Sequence, residues 1–193
     1  MPVLTRPVVA AGTVARNPQP ALPTGDGLLL RPWRAEDASA IHAAFQDPVI
    51  LQWHIKSADS EEEVAGWIEE WHTMWREERG AQWAVVDEDT DELRGRVALR
   101  EMLLGEGVAE VAYWTVARAR GQGVAARSTT AVTRWAFEEV GLHRLELFHS
   151  TANPASCRVA AKTGFALEGT KRSALQHPDG WHDMHFHARL RSD

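Results

Sequence analysis

The sequence predicts a mixed α/β (α+β) fold: one domain in which a twisted mixed sheet of about seven strands is flanked by about four helices. Three observations support this fold class. The 193 residues suit one domain with a sizeable core, strand-like and helix-like patterns alternate from residue 27 to residue 193, and no internal repeat is apparent. Residues 1–26 hold five prolines and little periodicity, which predicts an extended arm pinned to a surface or to a partner subunit.

The sequence of the first part of the domain predicts one strand followed by two helices. Residues 28–33 form an apolar run typical of a strand, and residues 35–46 suit a short helix that ends before Pro48. A second helix follows Ser57-Ala-Asp-Ser60, which offers several possible N-caps, and it ends near Gly80. Three glutamates at positions 61–63 suit the positive end of its dipole. Its apolar residues recur every three or four positions, so they predict one buried face.

The rest of the domain alternates strands with helices. One helix follows Gly123 and ends at Gly141. Another spans residues 154–162, with Asn153 as its N-cap and Pro154 at its first position. Alternating apolar residues and intervening turn residues predict the remaining strands at 82–86, 94–102, 108–116, 143–149, 165–175 and 181–190.

Composition and charge exclude several classes of protein. A net charge of -6 and an isoelectric point near 5.8 argue against a nucleic-acid binder, which usually carries a basic face. No apolar run approaches the roughly 20 residues needed to span a bilayer, and Arg6 and Pro7 interrupt any signal-peptide core. Cys157 is the only cysteine, so no internal disulfide can form. We expect a soluble cytoplasmic protein without nucleic-acid or membrane partners.

A glycine-rich turn carries the strongest chemical signal. The segment Arg120-Gly121-Gln122-Gly123-Val124-Ala125 lies between a predicted strand and a predicted helix. Such a turn presents unpaired backbone N–H groups and the helix dipole, and its glycines allow a phosphate to approach the main chain. A P-loop is excluded because no Gly-Lys-Ser/Thr follows, and a dinucleotide fingerprint is excluded because Ala126 stands where its third glycine would be. The turn therefore predicts a phosphate site of another kind.

This turn resembles the Arg/Gln-x-x-Gly-x-Gly/Ala signature of the GNAT N-acetyltransferases. Segments before and after the turn are similar to that superfamily in order and spacing: Glu110-Val-Ala-Tyr-Trp114, Asn153-Pro-Ala-Ser156, Ala161-Lys-Thr-Gly-Phe165 and Leu167-Glu-Gly169. The combination most resembles the RimJ/RimL-type branch, which acetylates amino termini of ribosomal proteins, and it covers about residues 27–191. The resemblance implies the GNAT fold and transfer of an acetyl group from acetyl-coenzyme A to a primary amine, either a protein amino terminus or a small amine.

The resemblance also implies a coenzyme A site. Amides of the turn would hold the pyrophosphate, and the pantetheine arm would lie between splayed strands at 108–116 and 143–149. Asn153 and Ser156 would lie beside the thioester, although Asn153 can also be a plain helix cap. The implied cofactor-binding residues are Tyr113, Trp114, Thr115, Val116, Arg118, Arg120, Gly121, Gln122, Gly123, Val124, Ala125, Ala126, Asn153 and Ser156.

Two residues are candidates for proton transfer. Glu110 lies where some GNAT enzymes carry a catalytic glutamate, and its alternative role is a strand-end carboxylate paired with an arginine. Ser156 is the candidate acid for the departing thiolate, because Ala160 stands where many GNAT enzymes have a tyrosine. Leu175 stands where the ribosomal branch tends to have a glutamate. These two departures keep a second hypothesis open, a coenzyme A-binding sensor or scaffold without catalysis.

Aromatic residues and histidines suggest further roles. Trp53, Trp71 and Trp75 are candidates for lining the acceptor site, with a buried core stripe as the alternative for the helical pair. Such a lining would suit an aromatic or apolar amine, whereas an amino-sugar would call for carboxylates. His185 and His187 share one strand face, but no third ligand is evident, so no metal is expected. A homodimer is expected through a closing strand or the arm.

Overall fold

The computed structural model describes residues 6–54 and 56–193, so residues 1–5 of the predicted arm lie outside it. The eight strands, β1 to β8 in chain order, are Leu22–Pro23, Leu28–Pro32, Ala81–Asp87, Leu93–Leu103, Val108–Thr115, Arg144–Ser150, Ala166–His177 and Gly180–Leu190. The five α-helices, α1 to α5, are Ala38–Ala44, Pro48–His54, Glu61–Arg76, Val124–Trp135 and Pro154–Lys162. No helix in the described ranges is both long and apolar enough to cross a membrane.

All eight strands form one mixed sheet in the order β1-β2-β3-β4-β5-β6-β8-β7. The β5–β6 pair is parallel and the other neighbours are antiparallel. The predicted mixed α/β fold is therefore confirmed. The sheet has one strand more than the seven predicted, because Leu22–Pro23 pairs with Leu29 and Leu30 at the edge of the sheet. Prolines in the arm concealed this short strand, since proline is tolerated at a sheet edge.

The parallel pair at the centre of the sheet opens into a groove. Within the described residues, β5 and β6 pair only from Val108 to Glu110 and from Arg144 to Glu146. Both strands then continue, to Thr115 and Ser150, without further pairing to each other. Beyond Glu110 the main-chain groups on the inner edge of β5 therefore have no strand partner in the described structure, and an extended ligand lying between the strands can reach those that no side chain occupies.

Helix α2 was not predicted. Pro48 was expected to lie beyond the end of the preceding helix, but it occupies the first position of a new helix. Proline suits that position because the first N–H groups of a helix have no intrahelical acceptor. Asp47 precedes it, and its Oδ1 accepts a hydrogen bond from the Val49 N–H at 2.9 Å. Residues 6–54 and 56–193 thus contain five α-helices, and α2 forms one wall of the central groove.

The described part of the arm packs along its own domain. The Val9 N–H donates to the Leu104 carbonyl at 3.0 Å, and Val9 and Val14 are both buried. Further along, the Trp83 indole N–H donates to the Pro20 carbonyl at 2.8 Å. Contacts within one chain therefore hold this segment.

Glu78 fastens the arm to the end of α3. Its carboxylate accepts hydrogen bonds from the N–H groups of Gly12 at 2.5 Å, Val14 at 2.6 Å and Ala15 at 2.9 Å. Glu78 itself adopts a left-handed conformation, with φ of 57°, which directs the chain into β3. Desolvation alone would raise its pKa, but the three amides outweigh it and hold the pKa of Glu78 below its ordinary value.

Replacing Glu78 by Ala should lower the free energy of unfolding by about 1–3 kcal/mol, because three arm amides lose a charged acceptor. Chemical denaturation of Glu78→Ala and wild type measures this. The depressed pKa means that the difference should be complete above pH 4.5 and should shrink as the pH falls below that value. Glu77→Ala is the control, since among the residues that the structure describes the Glu77 side chain makes only an exposed ion pair with Arg79. Equal effects of the two substitutions would contradict the proposed clamp.

Candidate active site

A cavity of about 980 Å³ occupies the groove where β5 separates from β6. Helix α2, the glycine turn with the start of α4, helix α5 and the β7–β8 hairpin complete its walls. Most of the residues implicated by the sequence line this cavity. They are Trp53, Glu110, Tyr113, Trp114, Thr115, Arg120, Gly121, Gly123, Val124, Ala125, Ala126, Asn153 and Ser156.

Three predicted cofactor residues lie beside the cavity rather than on its surface. Val116 is buried in the core at the end of β5. Arg118 points to the start of β4, where its Nε lies 2.6 Å from a Glu92 carboxylate oxygen. The Gln122 side-chain amide donates to the Arg118 carbonyl at 2.8 Å. These side chains therefore shape and brace the glycine turn.

The glycine turn has a backbone conformation that favours glycine at two positions. Gly121 and Gly123 both have φ of 76°, the left-handed region that favours glycine, and Gly123 is the N-cap of α4. In the described structure no hydrogen bond of ordinary geometry occupies the N–H groups of residues 121–126, and no side chain caps the helix. The turn therefore offers a row of amides, together with the positive end of the α4 dipole, to an anionic group.

Arg120 supports this turn through its side chain. Its Nη2 lies 2.5 Å from Asp47 Oδ2, in the connection that begins α2. The aspartate is largely buried and the arginine half-buried. The ion pair therefore ties the glycine turn to the helix that closes the other side of the cavity, while the main chain of the turn stays open.

Glu110 lies at the point where β5 and β6 separate. It is the last residue of β5 that pairs with β6, and its side chain is buried while facing the cavity. Burial raises the pKa of the Glu110 carboxyl, against the opposing effect of Arg100, whose guanidinium contacts it. The two alternatives from the sequence thus coincide, since Glu110 both faces the cavity and pairs with an arginine.

Helix α5 brings Asn153 and Ser156 to the opposite wall. Asn153 Oδ1 accepts a hydrogen bond from the Ser156 N–H at 3.1 Å, so Asn153 is a helix cap that also lines the cavity. The Tyr113 hydroxyl reaches across from β5 to within 3.5 Å of the Ser156 carbonyl. Burial raises the pKa of Tyr113 to about 12, so its phenol is neutral near neutral pH. Two hydroxyl groups, from Ser156 and Tyr113, therefore flank this end of the cavity.

His54 is a cavity residue that the sequence analysis missed. It ends α2, and its Nε2 lies 3.2 Å from the Tyr113 carbonyl on the inner edge of β5. Burial, reinforced by the charge of Arg96, lowers the pKa of His54 to about 4, so the imidazole is neutral and Nε2 donates its proton to that carbonyl. The Asp47-Pro48 pair, an N-cap followed by proline, is the signal that could have revealed α2 and with it this histidine.

The three candidate tryptophans separate into two groups. Trp53 lies on the cavity wall, with its ring centroid 5.7 Å from that of His177. Trp71 packs in the core against Trp33, with centroids 5.4 Å apart. Trp75 is buried near the end of α3, where its indole N–H donates to the Asn17 carbonyl of the arm at 3.2 Å. Trp71 and Trp75 therefore belong to the buried core stripe, which was the alternative to a role in lining the acceptor site.

The structure also shows where the two residues that depart from the GNAT pattern lie. Ala160 is fully buried on the core-facing side of α5. Leu175 lies on the cavity wall and keeps 41% of its surface exposed. An apolar side chain therefore stands at the mouth where a carboxylate was expected from the resemblance.

His185 and His187 have more neighbours than the sequence suggested. On the same face of the β6–β8 pair lie His149 and, from α5, Cys157. Burial lowers the pKa of both His149 and His187, so both imidazoles are neutral near neutral pH. The third and fourth potential ligands come from distant parts of the chain, and their spacing in the sequence carries no metal-binding pattern.

The sequence of this chain is similar to those of known acetyltransferases. Residues 27–166 match the family described as Acetyltransferase (GNAT) domain. The uncharacterized N-acetyltransferase YoaA of Bacillus subtilis (strain 168) is 30% identical over 151 residues, which cover 78% of this chain and 85% of YoaA. The ribosomal-protein-serine acetyltransferase of Escherichia coli (strain K12) is 29% identical over 100 residues, 52% of this chain and 56% of that protein.

Solved structures agree at the level of the fold. The structure of RimL, described as a ribosomal alpha-N-protein acetyltransferase in complex with coenzyme A, has a TM-score of 0.81 at 20% identity, and the match covers 90% of this chain and all of RimL. This likeness confirms the predicted architecture, and the sequence matches confirm the predicted resemblance. The chain belongs to the GNAT acetyltransferase family.

Proposed function

We propose that this protein transfers an acetyl group from acetyl-coenzyme A to a primary amine. The acceptor that fits the site best is the amino terminus of a protein. One observation carries the proposal: the row of unoccupied N–H groups at residues 121–126 lies at one end of the groove opened by β5 and β6. A diphosphate needs such donors, and a long flexible arm attached to it needs an open strand edge beside them.

The residues of the chain fit this ligand. Amides of the glycine turn bind the pyrophosphate, and the inner edge of β5 bonds the pantetheine amides through its main chain. Asn153 and Ser156 close the far side on α5. When bound, acetyl-coenzyme A supplies the acetyl group as a reactive thioester. The buried walls of the groove exclude water from the reacting end.

Glu110 and Ser156 have separate tasks in the proposed reaction. Glu110 accepts the proton of the incoming ammonium group, directly or through a water molecule, because attack requires a neutral amine. A carboxyl with a raised pKa is the stronger base for this step. The excess proton that the nitrogen carries after its attack passes through the Ser156 hydroxyl to the departing sulfur, so Ser156 is left unchanged, and the neutral Tyr113 phenol lies beside it. Arg100 keeps the Glu110 carboxylate in place through their ion pair.

Charge at the cavity favours a peptide over an amino-sugar as acceptor. Among the described residues that line the cavity, Glu110 is the one acid, whereas five side chains are cationic: Arg100, Arg120, Arg158, Lys162 and Lys171. Polycationic amino-sugars need several carboxylates to bind. The mouth offers Trp53 and Leu175 instead, which suits a single amine attached to apolar or peptide groups.

Removing the Trp53 ring should raise KM for the amine about tenfold, since roughly 1.5 kcal/mol of apolar contact is lost from acceptor binding. Steady-state kinetics of Trp53→Ala at saturating acetyl-coenzyme A measures this, and kcat should stay within about threefold of wild type. Trp181→Ala is the matched control, because Trp181 is 64% exposed and lies outside the cavity lining. Equal KM values for the two variants would show that Trp53 does not contact the acceptor.

Leu175 favours a second function, a coenzyme A-binding sensor that lacks catalysis, because it leaves the acceptor mouth without the expected carboxylate. One experiment separates the two. Calorimetry measures binding of coenzyme A, and mass spectrometry then follows acetylation across a library of peptides and small amines. Binding with acetylated products supports the transferase, and binding without any product supports the sensor. Absence of binding would overturn both.

A further inference from the structure

Four potential metal ligands converge where α5 crosses the β6–β8 pair. His149 on β6 is directly opposite His185 on β8, and His187 lies two residues further along the same face. Cys157 reaches this face from α5. The donor atoms of these four residues, which we call the histidine–cysteine cluster, all lie within 4.8 Å of one another.

The hydrogen bonds of two histidines fix where their protons are. His149 Nδ1 lies 2.8 Å from the Ser150 carbonyl, and His187 Nδ1 lies 3.2 Å from the Phe165 carbonyl. A carbonyl can only accept, so each Nδ1 carries the proton. In two neutral imidazoles both Nε2 atoms then present lone pairs, and these atoms face each other at 3.2 Å. Two lone pairs at this distance repel unless a proton or a metal cation lies between them.

The arrangement matches that of a tetrahedral zinc site. With Zn–N bonds of about 2.0–2.1 Å, two nitrogens of a tetrahedral site are about 3.3 Å apart, close to the observed separation of 3.2 Å. Metal-bound histidines usually donate their other N–H to a carbonyl or carboxylate, as His149 and His187 do here. His185 Nδ1 is buried and has no hydrogen-bond partner within the described part of the chain.

We propose that His149, Cys157, His185 and His187 bind one Zn²⁺ ion in a closed structural site. A thiolate with three imidazoles is a donor set that zinc prefers, and four protein ligands leave no position for a reacting water. Binding requires the most distant donors to approach by roughly 1 Å. The ion would pin the first turns of α5 to the sheet, and that helix also carries Asn153 and Ser156. This proposal does not depend on acetyl transfer.

Metal content of the full chain tests the proposal directly. The protein is purified without a polyhistidine tag, dialysed against metal-free buffer and analysed by elemental mass spectrometry. We expect about one zinc per chain. Adding Co²⁺ to protein stripped with a chelator should give a thiolate-to-cobalt charge-transfer band together with tetrahedral d–d bands. Because Cys157 is the only cysteine, its rate of reaction with a thiol reagent should fall at least about tenfold when zinc is added.

Variants identify the ligands. Cys157→Ser should abolish the cobalt charge-transfer band, and His187→Ala should lower retained zinc by about tenfold or more. His143→Ala is the matched control, since His143 is exposed and outside the cluster, and it should keep full zinc content. Wild-type protein that neither retains zinc, nor shows the cobalt band, nor loses thiol reactivity on zinc addition would overturn the proposal. That readout needs no variant to fold.

Discussion

Replacing Gly121 by Val is expected to weaken binding of coenzyme A by about 100-fold. Gly121 has φ of 76°, where a β-branched side chain is strained, so the turn must change its path. The open space around its Cβ position shows that no neighbouring atom would clash, and the effect is one of backbone conformation alone. Loss of one charge-assisted amide–phosphate bond, worth about 1.5–3 kcal/mol, corresponds to a factor of about 10 to 160, a range that includes the expected 100-fold.

Isothermal titration of Gly121→Val with coenzyme A measures this effect. Gly66→Val is the matched control, because Gly66 lies within α3 at an ordinary helical conformation and a Cβ there also meets open space. The control should bind with an unchanged Kd, and both variants should remain folded by circular dichroism. If Gly121→Val binds coenzyme A as tightly as wild type, the turn does not hold the phosphates and the proposed function loses its main support.

The glycine turn could be predicted because its information is local. Two glycines between an apolar strand and an amphipathic helix specify left-handed conformations and open amides without any distant partner. The same holds for the start of α5, where Asn153 and Pro154 form a cap and a first helical residue. At both places, short-range stereochemistry determines the structure.

Helix α2 shows how a local signal can have two interpretations. Proline after a helical pattern ends a helix, but proline after a capping aspartate begins one, and the sequence around Pro48 satisfies both rules. Tertiary contacts decide between them: Asp47 is held by Arg120 of the glycine turn, from a distant part of the chain. With α2 misassigned, His54 could not be recognised as a cavity residue.

The histidine–cysteine cluster depends on contacts that no local pattern carries. His149, Cys157 and His185 come together only because β6 pairs with β8 in one register and α5 crosses that face. A shift of one residue in that register would turn His185 to the other face of the sheet. The tryptophans of α3 illustrate the same limit, since helical periodicity predicted a buried face for Trp75 but not that the arm would cover it.

Adjacent residues of α5 serve two different sites. Ser156 lines the cavity, whereas Cys157 joins the cluster, whose His149 also lines the cavity. Any ion held by the cluster would therefore fix the helix that supports one wall of the cavity. Chelation should then lower thermal stability and activity together, while substitution of Ser156 should lower activity alone.

Replacing Glu110 by Gln should lower kcat by about 10²–10⁴-fold, the usual contribution of a general base. Glutamine keeps the size and a hydrogen-bond acceptor for Arg100, so the fold and the binding of coenzyme A should persist. Rapid quench at saturating acetyl-coenzyme A and amine measures kcat. Glu106→Gln, on the exposed β4–β5 turn, is the matched control and should retain wild-type kcat.

The pH dependence distinguishes a base from a merely structural carboxylate. Burial raises the pKa of Glu110 above its ordinary value of 4.5 against the opposing charge of Arg100, and the base works only when deprotonated. The wild-type kcat should therefore fall on an acid limb that lies above pH 4.5, and Glu110→Gln should lack that limb. Arg100→Gln removes the opposing cation, so its limb should shift to higher pH. A limb that persists in Glu110→Gln, with kcat near wild type, would show that another group accepts the proton of the amine.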